Sequence, residues 1–292
     1  MSDHESSPVI PPAVRELFPF TSRFFSVGKH RLHYVDEGQG PVLLLMHACP
    51  LWAFSFREVI RTFSSAYRVI ALDQMGFGLS DKPADFDYRL EMHADLLEMF
   101  VHSLGLTDIT LIMHGRGSTI GMAYAVRNPD NIRAFVTLNA MGFTGFFLPW
   151  RLQVCRIPWL GAKIVLGLDL LTREFRRYPE AVRAAYSLPF PDRESKISLV
   201  RFIEDIPCVP EDDSAQSMLE VETSLWMLRE KPASIIWAEK DWLYTKRSFR
   251  AWTKYFPEAE VHMVENAGRY IQEDAPDELI SLLRDFLEKT RC

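Results

Sequence analysis

The strongest constraint on the fold is an alternation of buried apolar runs with helix-like segments along most of the chain. The run at 42–46 is continuously apolar, as expected for a parallel strand covered on both faces, and the next buried strand and the central strand are predicted at 67–72 and 110–113. Apolar residues at helical spacing predict helices at about 54–63 and 88–104. Further strands are predicted at 23–26, 31–36, 135–138, 234–237 and 261–264, and further helices at 118–126, 246–255 and 276–288. The pattern predicts an α/β fold with a mostly parallel sheet between two helical layers.

The alternation stops in the middle of the chain, which suggests an inserted unit. From residue 142 to 218 the sequence is helix-like, basic and aromatic, with no strand pattern. We therefore divide the chain into a first core part at 1–141, a helical cap at 142–218 and a second core part at 219–292. The cap is expected over the carboxyl ends of the strands, where open α/β sheets bind their ligands. Residues up to about 20 are expected to pack on the surface or fray.

Composition excludes several functional classes. A net charge of −6 gives no reason to expect nucleic-acid binding. The first residues have no basic segment followed by an apolar one, and the four cysteines show no CxxC spacing. We therefore expect a cytoplasmic protein with reduced thiols. The sequence shows no grouping suited to a metal, and we predict no metal site and no cofactor.

Several motifs carry a resemblance to a known family. His47-Ala48-Cys49-Pro50 and the glycine-rich stretch at 76–83 follow two predicted strands. Together with 155–158, 201–207 and 272–276, they resemble the haloalkane dehalogenase family of the α/β-hydrolase superfamily. Within it, the chain looks most like the branch that includes the olefin-biosynthesis β-lactone decarboxylases. The resemblance covers roughly residues 18–288 and implies the α/β-hydrolase fold with a helical cap.

The same resemblance implies where a catalytic site would lie. In the family, an aspartate at a sharp turn between strand and helix attacks carbon, and Gly115 matches that position. Arg269 matches the histidine that activates water, and a protonated arginine cannot act as a base. Asp241 matches the acid that orients the histidine. Cys49 and Arg116 match two positions that hold halide in many dehalogenases.

These replacements lead to specific structural expectations. Glycine tolerates a positive φ at the turn without strain, so Gly115 is expected to relax the turn. Arg269 is expected to form an ion pair with Asp241, or alternatively to bind an anion. Arg116 could bind an anion, or instead face solvent or pair with a cap carboxylate. The turn is thus expected to be open space between two arginines.

Other candidates lie around this turn and in the cap. Cys49 is expected to be a small buried thiol rather than a nucleophile, and Cys49, Arg116, Trp52 and Asn139 are the candidate ligand contacts. The cap segment is expected to line an apolar acyl-type pocket, or alternatively to present a membrane-surface or partner interface. Its apolar members are Phe146, Phe147, Trp150, Trp159, Leu160, Ile164, Val165 and Leu166, and its basic members are Arg151, Arg156, Lys163, Arg173, Arg176 and Arg177.

The functional prediction has two main alternatives. The first is a pseudoenzyme that hydrolyses nothing and binds a small apolar or acidic ligand, or a protein partner. The second is an enzyme of changed chemistry, of lactone decarboxylase, lyase or hydrolase type, that acts on an apolar acidic or acyl substrate through Arg116, Arg269 and Asp241. A third alternative is an ordinary family hydrolase. It requires that a residue other than Gly115, with a carboxylate or hydroxyl group, occupy the apex of the turn.

Overall fold

The computed structural model describes residues 10–144, 148–157, 160–167 and 173–291. Within them, eight strands form one sheet in the order β1-β2-β4-β3-β5-β6-β7-β8. The hairpin of β1 and β2 is antiparallel, β2 pairs antiparallel with β4, and the other neighbours pair in parallel. The strands are β1 (Arg23–Val27), β2 (His30–Glu37), β3 (Val42–Met46), β4 (Arg68–Leu72), β5 (Ile109–His114), β6 (Ile132–Leu138), β7 (Ala233–Ala238) and β8 (Glu260–Val264). The predicted α/β-hydrolase fold is confirmed.

Helices connect the strands and build the insertion after β6. They are α1 (Pro12–Leu17), α2 (Arg57–Phe63), α3 (Leu90–Ser103), α4 (Gly117–Arg127), α5 (Trp150–Gln153), α6 (Leu160–Gly167), α7 (Glu180–Ser187), α8 (Ile197–Glu204), α9 (Ala215–Ser224), α10 (Lys246–Tyr255), α11 (Ile271–Asp274) and α12 (Pro276–Lys289). In the part of the chain that the structure describes, none of them is long and apolar enough to cross a membrane.

Two apolar cores form because successive strand residues point to opposite faces of the sheet. On one face, Leu111 of β5 belongs to a cluster with Phe100 of α3 and with residues of α4 and α10. On the other face, Leu45 of β3 clusters with Ile60 of α2 and Leu283 of α12. Helices therefore cover both faces, and the carboxyl ends of the parallel strands share one edge, which is where the site forms.

The segment at 10–20 differs from its prediction. It forms the short helix α1, in which Val14 is buried, and the buried Phe18 follows directly. The Phe18 ring lies 5.1 Å from that of Trp52 and 5.9 Å from that of Phe54. Burial of two apolar side chains gives this segment a fixed place against the second core.

Several polar contacts fasten the insertion to the core. The indole Nε1 of Trp52 donates to the carbonyl of Ala185 in α7 at 3.1 Å. Arg57 of α2 forms two hydrogen bonds with the carboxylate of Glu273, at 2.5 and 2.7 Å. The hydroxyl of Tyr186 in α7 donates to the same carboxylate. These buried contacts hold α7 against the edge of the sheet that carries the candidate site.

Candidate functional site

The turn between β5 and α4 is closely packed rather than open. Gly115 has a φ of +55°, in the left-handed region that favours glycine. A Cβ atom there would lie 2.7 Å from the methyl carbon of Ala48 and 3.0 Å from the hydroxyl oxygen of Tyr244. The prediction of open space beside the turn is therefore wrong. The groups that fill it come from the loops that follow β3 and β7.

The Arg116 side chain is bonded to residues of the helical insertion. One of its guanidinium nitrogens donates to the carboxylate of Asp205, which follows α8. Another donates to the carbonyl of Phe202 at 3.1 Å, and the guanidinium lies 4.3 Å from the centre of that phenyl ring. The Ser214 hydroxyl donates to the second oxygen of Asp205. Pairing with a cap carboxylate is confirmed. Asp205 pairs with the Arg116 charge, which argues against the alternative of an Arg116 free to bind an anion, and anion binding by Arg116 stays a prediction.

Asp241 is held by neutral groups. Its carboxylate accepts hydrogen bonds from the side-chain amide of Asn139 at 2.7 Å and from the backbone N–H groups of Leu243 and Tyr244 at 2.7 and 3.1 Å. Burial raises the pKa of Asp241, and the Asn139 hydrogen bond and the Arg269 charge oppose that rise. The site therefore already supplies three donors to this carboxylate.

The predicted ion pair between Asp241 and Arg269 is not formed. Among the described residues, no Arg269 nitrogen lies within 4.0 Å of an Asp241 oxygen, although the two charges interact at longer range. The reason lies partly in Asn139, which adopts a φ of +39° at the end of β6. Its side-chain oxygen accepts from the N–H of Ala238 at 2.7 Å, so its amide bridges β6 and β7 and faces Asp241.

The side chain of Arg269 instead contacts the loop that follows β3. Its Nη2 donates to the carbonyl of Cys49 at 2.7 Å, and its guanidinium carbon lies 5.8 and 5.4 Å from the ring centres of Trp242 and Tyr270. The residue is only 4% exposed. Its Nε and Nη1 have no hydrogen-bond partner among the described residues. A buried guanidinium with two unpaired donors is suited to an oxyanion or carbonyl oxygen of a ligand.

The two histidines near the turn are neutral, and both nitrogens of each ring are used. The Nε2 of His114 donates to the carbonyl of Arg269 at 2.9 Å, and its Nδ1 accepts from the Gln272 amide at 3.0 Å. Burial, with the Arg269 charge, lowers the pKa of His114 to about 3. His47 donates from Nδ1 to the next carbonyl and accepts at Nε2 from the N–H of Gln74, both at 3.0 Å. Burial lowers its pKa as well. Neither ring is free to act as a base.

The remaining candidates for ligand contact have structural partners. Burial raises the pKa of the Cys49 thiol to about 12, so it is protonated at neutral pH, as expected of a small buried thiol. Trp52 is fully buried and bonded to α7, and Asn139 is bonded to Asp241. Their contacts with a ligand stay a prediction, as do those of Arg116 and Cys49.

Sequence reasoning missed the residues that follow Asp241. The Tyr244 hydroxyl packs against the turn, and the Trp242 indole donates to the carboxylate of Glu174 in the cap. Glu174 in turn interacts with the charge of Arg269. The available signal was the pair of aromatic residues within three positions of Asp241, in a loop after a buried strand. The described residues contain no cluster of three or more His, Cys, Asp or Glu side chains that could hold a metal ion.

The predicted cap lining is tested only in part. Val165 is buried, whereas Trp150 is 69% exposed. Arg156 and Arg177 pair with Asp212 and Asp274. Phe146, Phe147 and Trp159 lie outside the described residues, as does the side chain of Arg151. An acyl-type pocket under the cap therefore stays a prediction.

Comparisons with known proteins agree with the fold. Residues 41–276 match the α/β hydrolase fold family. The chain is 35% identical to a cis-3-alkyl-4-alkyloxetan-2-one decarboxylase of Shewanella oneidensis, over 94% of this chain and 90% of that protein. It is 30% identical to haloalkane dehalogenase 2 of Mycobacterium bovis, over 92% and 95% of the two chains. The crystal structure of haloalkane dehalogenase DbeA from Bradyrhizobium elkani superimposes with a TM-score of 0.85 at 20% identity, over 93% and 99% of the two chains.

Proposed function

This chain belongs to the α/β hydrolase fold family, and we propose that it works within that family as a binding protein rather than a hydrolase. Its ligand is an alkyl chain that carries a carboxylate or another oxygen-rich head group. The observation that carries this proposal is the buried guanidinium of Arg269, with two donors that have no partner among the described residues. The head group of the ligand accepts hydrogen bonds from those donors.

The groups around the turn support a non-hydrolytic role. Gly115 offers no side chain for attack, and the Ser118 hydroxyl donates to the carbonyl of Gly115. The Cys49 thiol is held protonated, and the rings of His47 and His114 are neutral with both nitrogens bonded. Covalent hydrolysis requires an activated nucleophile next to a base, and this arrangement supplies neither.

The relatives suggest the ligand class. The similar decarboxylase of Shewanella oneidensis acts, by its name, on an oxetan-2-one that carries two alkyl groups. Ring opening of such a lactone by water gives a 3-hydroxy acid, which combines apolar chains with a carboxylate. An arginine matches that head group because guanidinium and carboxylate form two parallel hydrogen bonds.

Calorimetry with the purified chain tests the proposal. We expect 3-hydroxydecanoate and decanoate to bind, and decan-1-ol to bind more weakly. Arg269→Gln should weaken carboxylate binding about tenfold to a hundredfold, because charged hydrogen bonds contribute about 1.5–3 kcal/mol. Arg183→Gln, at an exposed site on α7, is the matched control. Equal affinity for acid and alcohol, or no effect of Arg269→Gln, contradicts the proposal.

A second candidate is an enzyme of changed chemistry. The observation that favours it is the raised pKa of the buried Asp241, which suits a proton donor whose charge interacts with that of Arg269. The test is turnover of a cis-3,4-dialkyloxetan-2-one, a haloalkane and an ester. Turnover that Asp241→Asn abolishes without lowering the melting temperature supports this candidate over the binding protein.

A further inference from the structure

The solvent face of α10 is entirely cationic. Ser248 and Trp252 are the buried residues of this helix, and Trp252 packs into the first core. At about 100° per residue, the exposed cations occupy an arc of about 100° centred opposite Trp252. These cations are Lys246, Arg247, Arg250 and Lys254. None of the four forms an ion pair with any residue that the structure describes, and α10 contains no acidic residue.

An exposed tryptophan adjoins this face. Trp226, in the 3-10 helix Leu225–Leu228, is 73% exposed. It lines a surface cleft of about 390 Å³ together with Lys254 and a further exposed cation, Arg229. The acidic residue of the cleft, Glu222, accepts hydrogen bonds from Thr144 and from the Tyr255 hydroxyl. Within the lining of this cleft, the charged side chains not engaged by these hydrogen bonds are therefore the cations Arg229 and Lys254.

We propose that α10 and Trp226 form a docking surface for an anionic lipid bilayer. A row of unpaired cations on one helix face complements the phosphate groups of a leaflet. The amphipathic indole of tryptophan prefers the level of the head groups, which accounts for a side chain that is left exposed beside the row. With a net charge of −6, the chain as a whole is repelled by polyanions, so the attraction must come from this face at short range.

Vesicle co-sedimentation of the full chain tests this surface. We expect binding to phosphatidylcholine vesicles that contain phosphatidylglycerol, little binding without it, and weaker binding as salt increases. Arg247→Glu/Arg250→Glu should weaken binding more than tenfold, since each cation near an anionic leaflet contributes about fivefold. Trp226→Ala should weaken it severalfold, and a blue shift of tryptophan fluorescence on binding should be reduced.

A control variant with the same change in net charge separates the effect of where the substituted residues lie from the effect of net charge. Arg183→Glu/Arg284→Glu changes the net charge equally, but on α7 and α12, which pack on the other core. This control should retain binding, and circular dichroism should show all variants folded. Equal loss in both double variants, or no vesicle binding at low salt, overturns the proposal. Binding to heparin but not to vesicles also overturns it and assigns the face to a soluble polyanion.

Discussion

Arg269 donates a hydrogen bond to the backbone carbonyl of Cys49, at 2.7 Å and across 220 residues of the chain. This contact ties the loop after β8 to the loop after β3 and draws the guanidinium away from Asp241. Asp241 is left with Asn139 and two backbone donors. Two charges that sequence reasoning joins are thus separated: neutral donors satisfy Asp241, whereas the Cys49 carbonyl holds only one nitrogen of Arg269.

Packing at the turn predicts a measurable cost for any side chain at Gly115. Gly115→Ala should lower the free energy of unfolding by about 2–5 kcal/mol, since the positive φ costs about 1–2 kcal/mol and overpacking about 1–3 kcal/mol. Gly28→Ala is the control, because its φ is +58° but nothing lies within 4 Å of its added Cβ. Urea denaturation measures both variants. Equal losses would show that Ala48 and Tyr244 leave room for a methyl group.

The buried pair of Arg116 and Asp205 predicts a large effect when one partner is removed. Asp205→Ala should destabilise the chain by about 3–5 kcal/mol, because Arg116 keeps a buried charge without its partner. The double variant Arg116→Met/Asp205→Ala should recover much of that loss. The exposed pair Arg201 and Glu204 is the control, and its cycle should give about 0–1 kcal/mol. A coupling energy near zero for the buried pair contradicts the prediction.

Buried neutral histidines predict a loss of stability in acid. Burial lowers the pKa values of His93 and His114 from 6.5 to about 3. Below pH 6.5 these two histidines bind protons in the unfolded chain but stay neutral in the folded chain. The free energy of unfolding therefore falls as the pH falls from 6.5 towards 3. The loss is about 2 kcal/mol per histidine between about pH 7 and pH 5.

Urea denaturation at several pH values checks this dependence. His114→Gln keeps a donor for the Arg269 carbonyl but removes the titrating group, so it should reduce the slope of stability against pH by about one proton. His102→Gln, at an exposed position of α3, is the control for loss of an imidazole. An unchanged slope in His114→Gln would mean that this ring is protonated in the folded chain.

The raised pKa of Cys49 predicts an inert thiol. With a pKa of about 12, Cys49 is almost entirely protonated at neutral pH, and the thiolate is the reactive form. We expect iodoacetamide to leave Cys49 unmodified in the folded chain and to modify it after denaturation in urea. Peptide mass spectrometry measures the modification at each cysteine. Rapid native alkylation of Cys49 argues against its burial and reopens a nucleophilic role.

Sequence patterns predict the sheet and most helices because their signals are local. The run at 42–46 and the helix at 246–255 have the predicted bounds, since burial on both faces and amphipathicity are visible in the residues themselves. β6 begins at Ile132, earlier than predicted, because the polar Arg133 interrupts its apolar run. α1 is not visible in the sequence because the segment is held in place through Phe18, directly after the helix, which contacts Trp52 and Phe54 far along the chain.

The site was harder to predict than the fold. Motif positions led to Gly115, Asp241 and Arg269, and the structure places all three at the carboxyl edge of the sheet. Which charges pair there depends on distances of a few ångströms between loops, and these are set by tertiary packing. Charge alone favours Asp241 as the partner of Arg269. In the structure, Arg269 donates to the backbone carbonyl of Cys49 instead.

The packing of Ala48 and Tyr244 beside Gly115 also constrains how the sequence can change at this turn. A single codon change that introduces a side chain at the turn places its Cβ against the methyl of Ala48 and the hydroxyl of Tyr244 at once. A lineage can acquire such a side chain only after one of those neighbours has become smaller or moved. Each neighbour that packs against the glycine therefore adds a mutational step before a larger residue can be accepted at this turn.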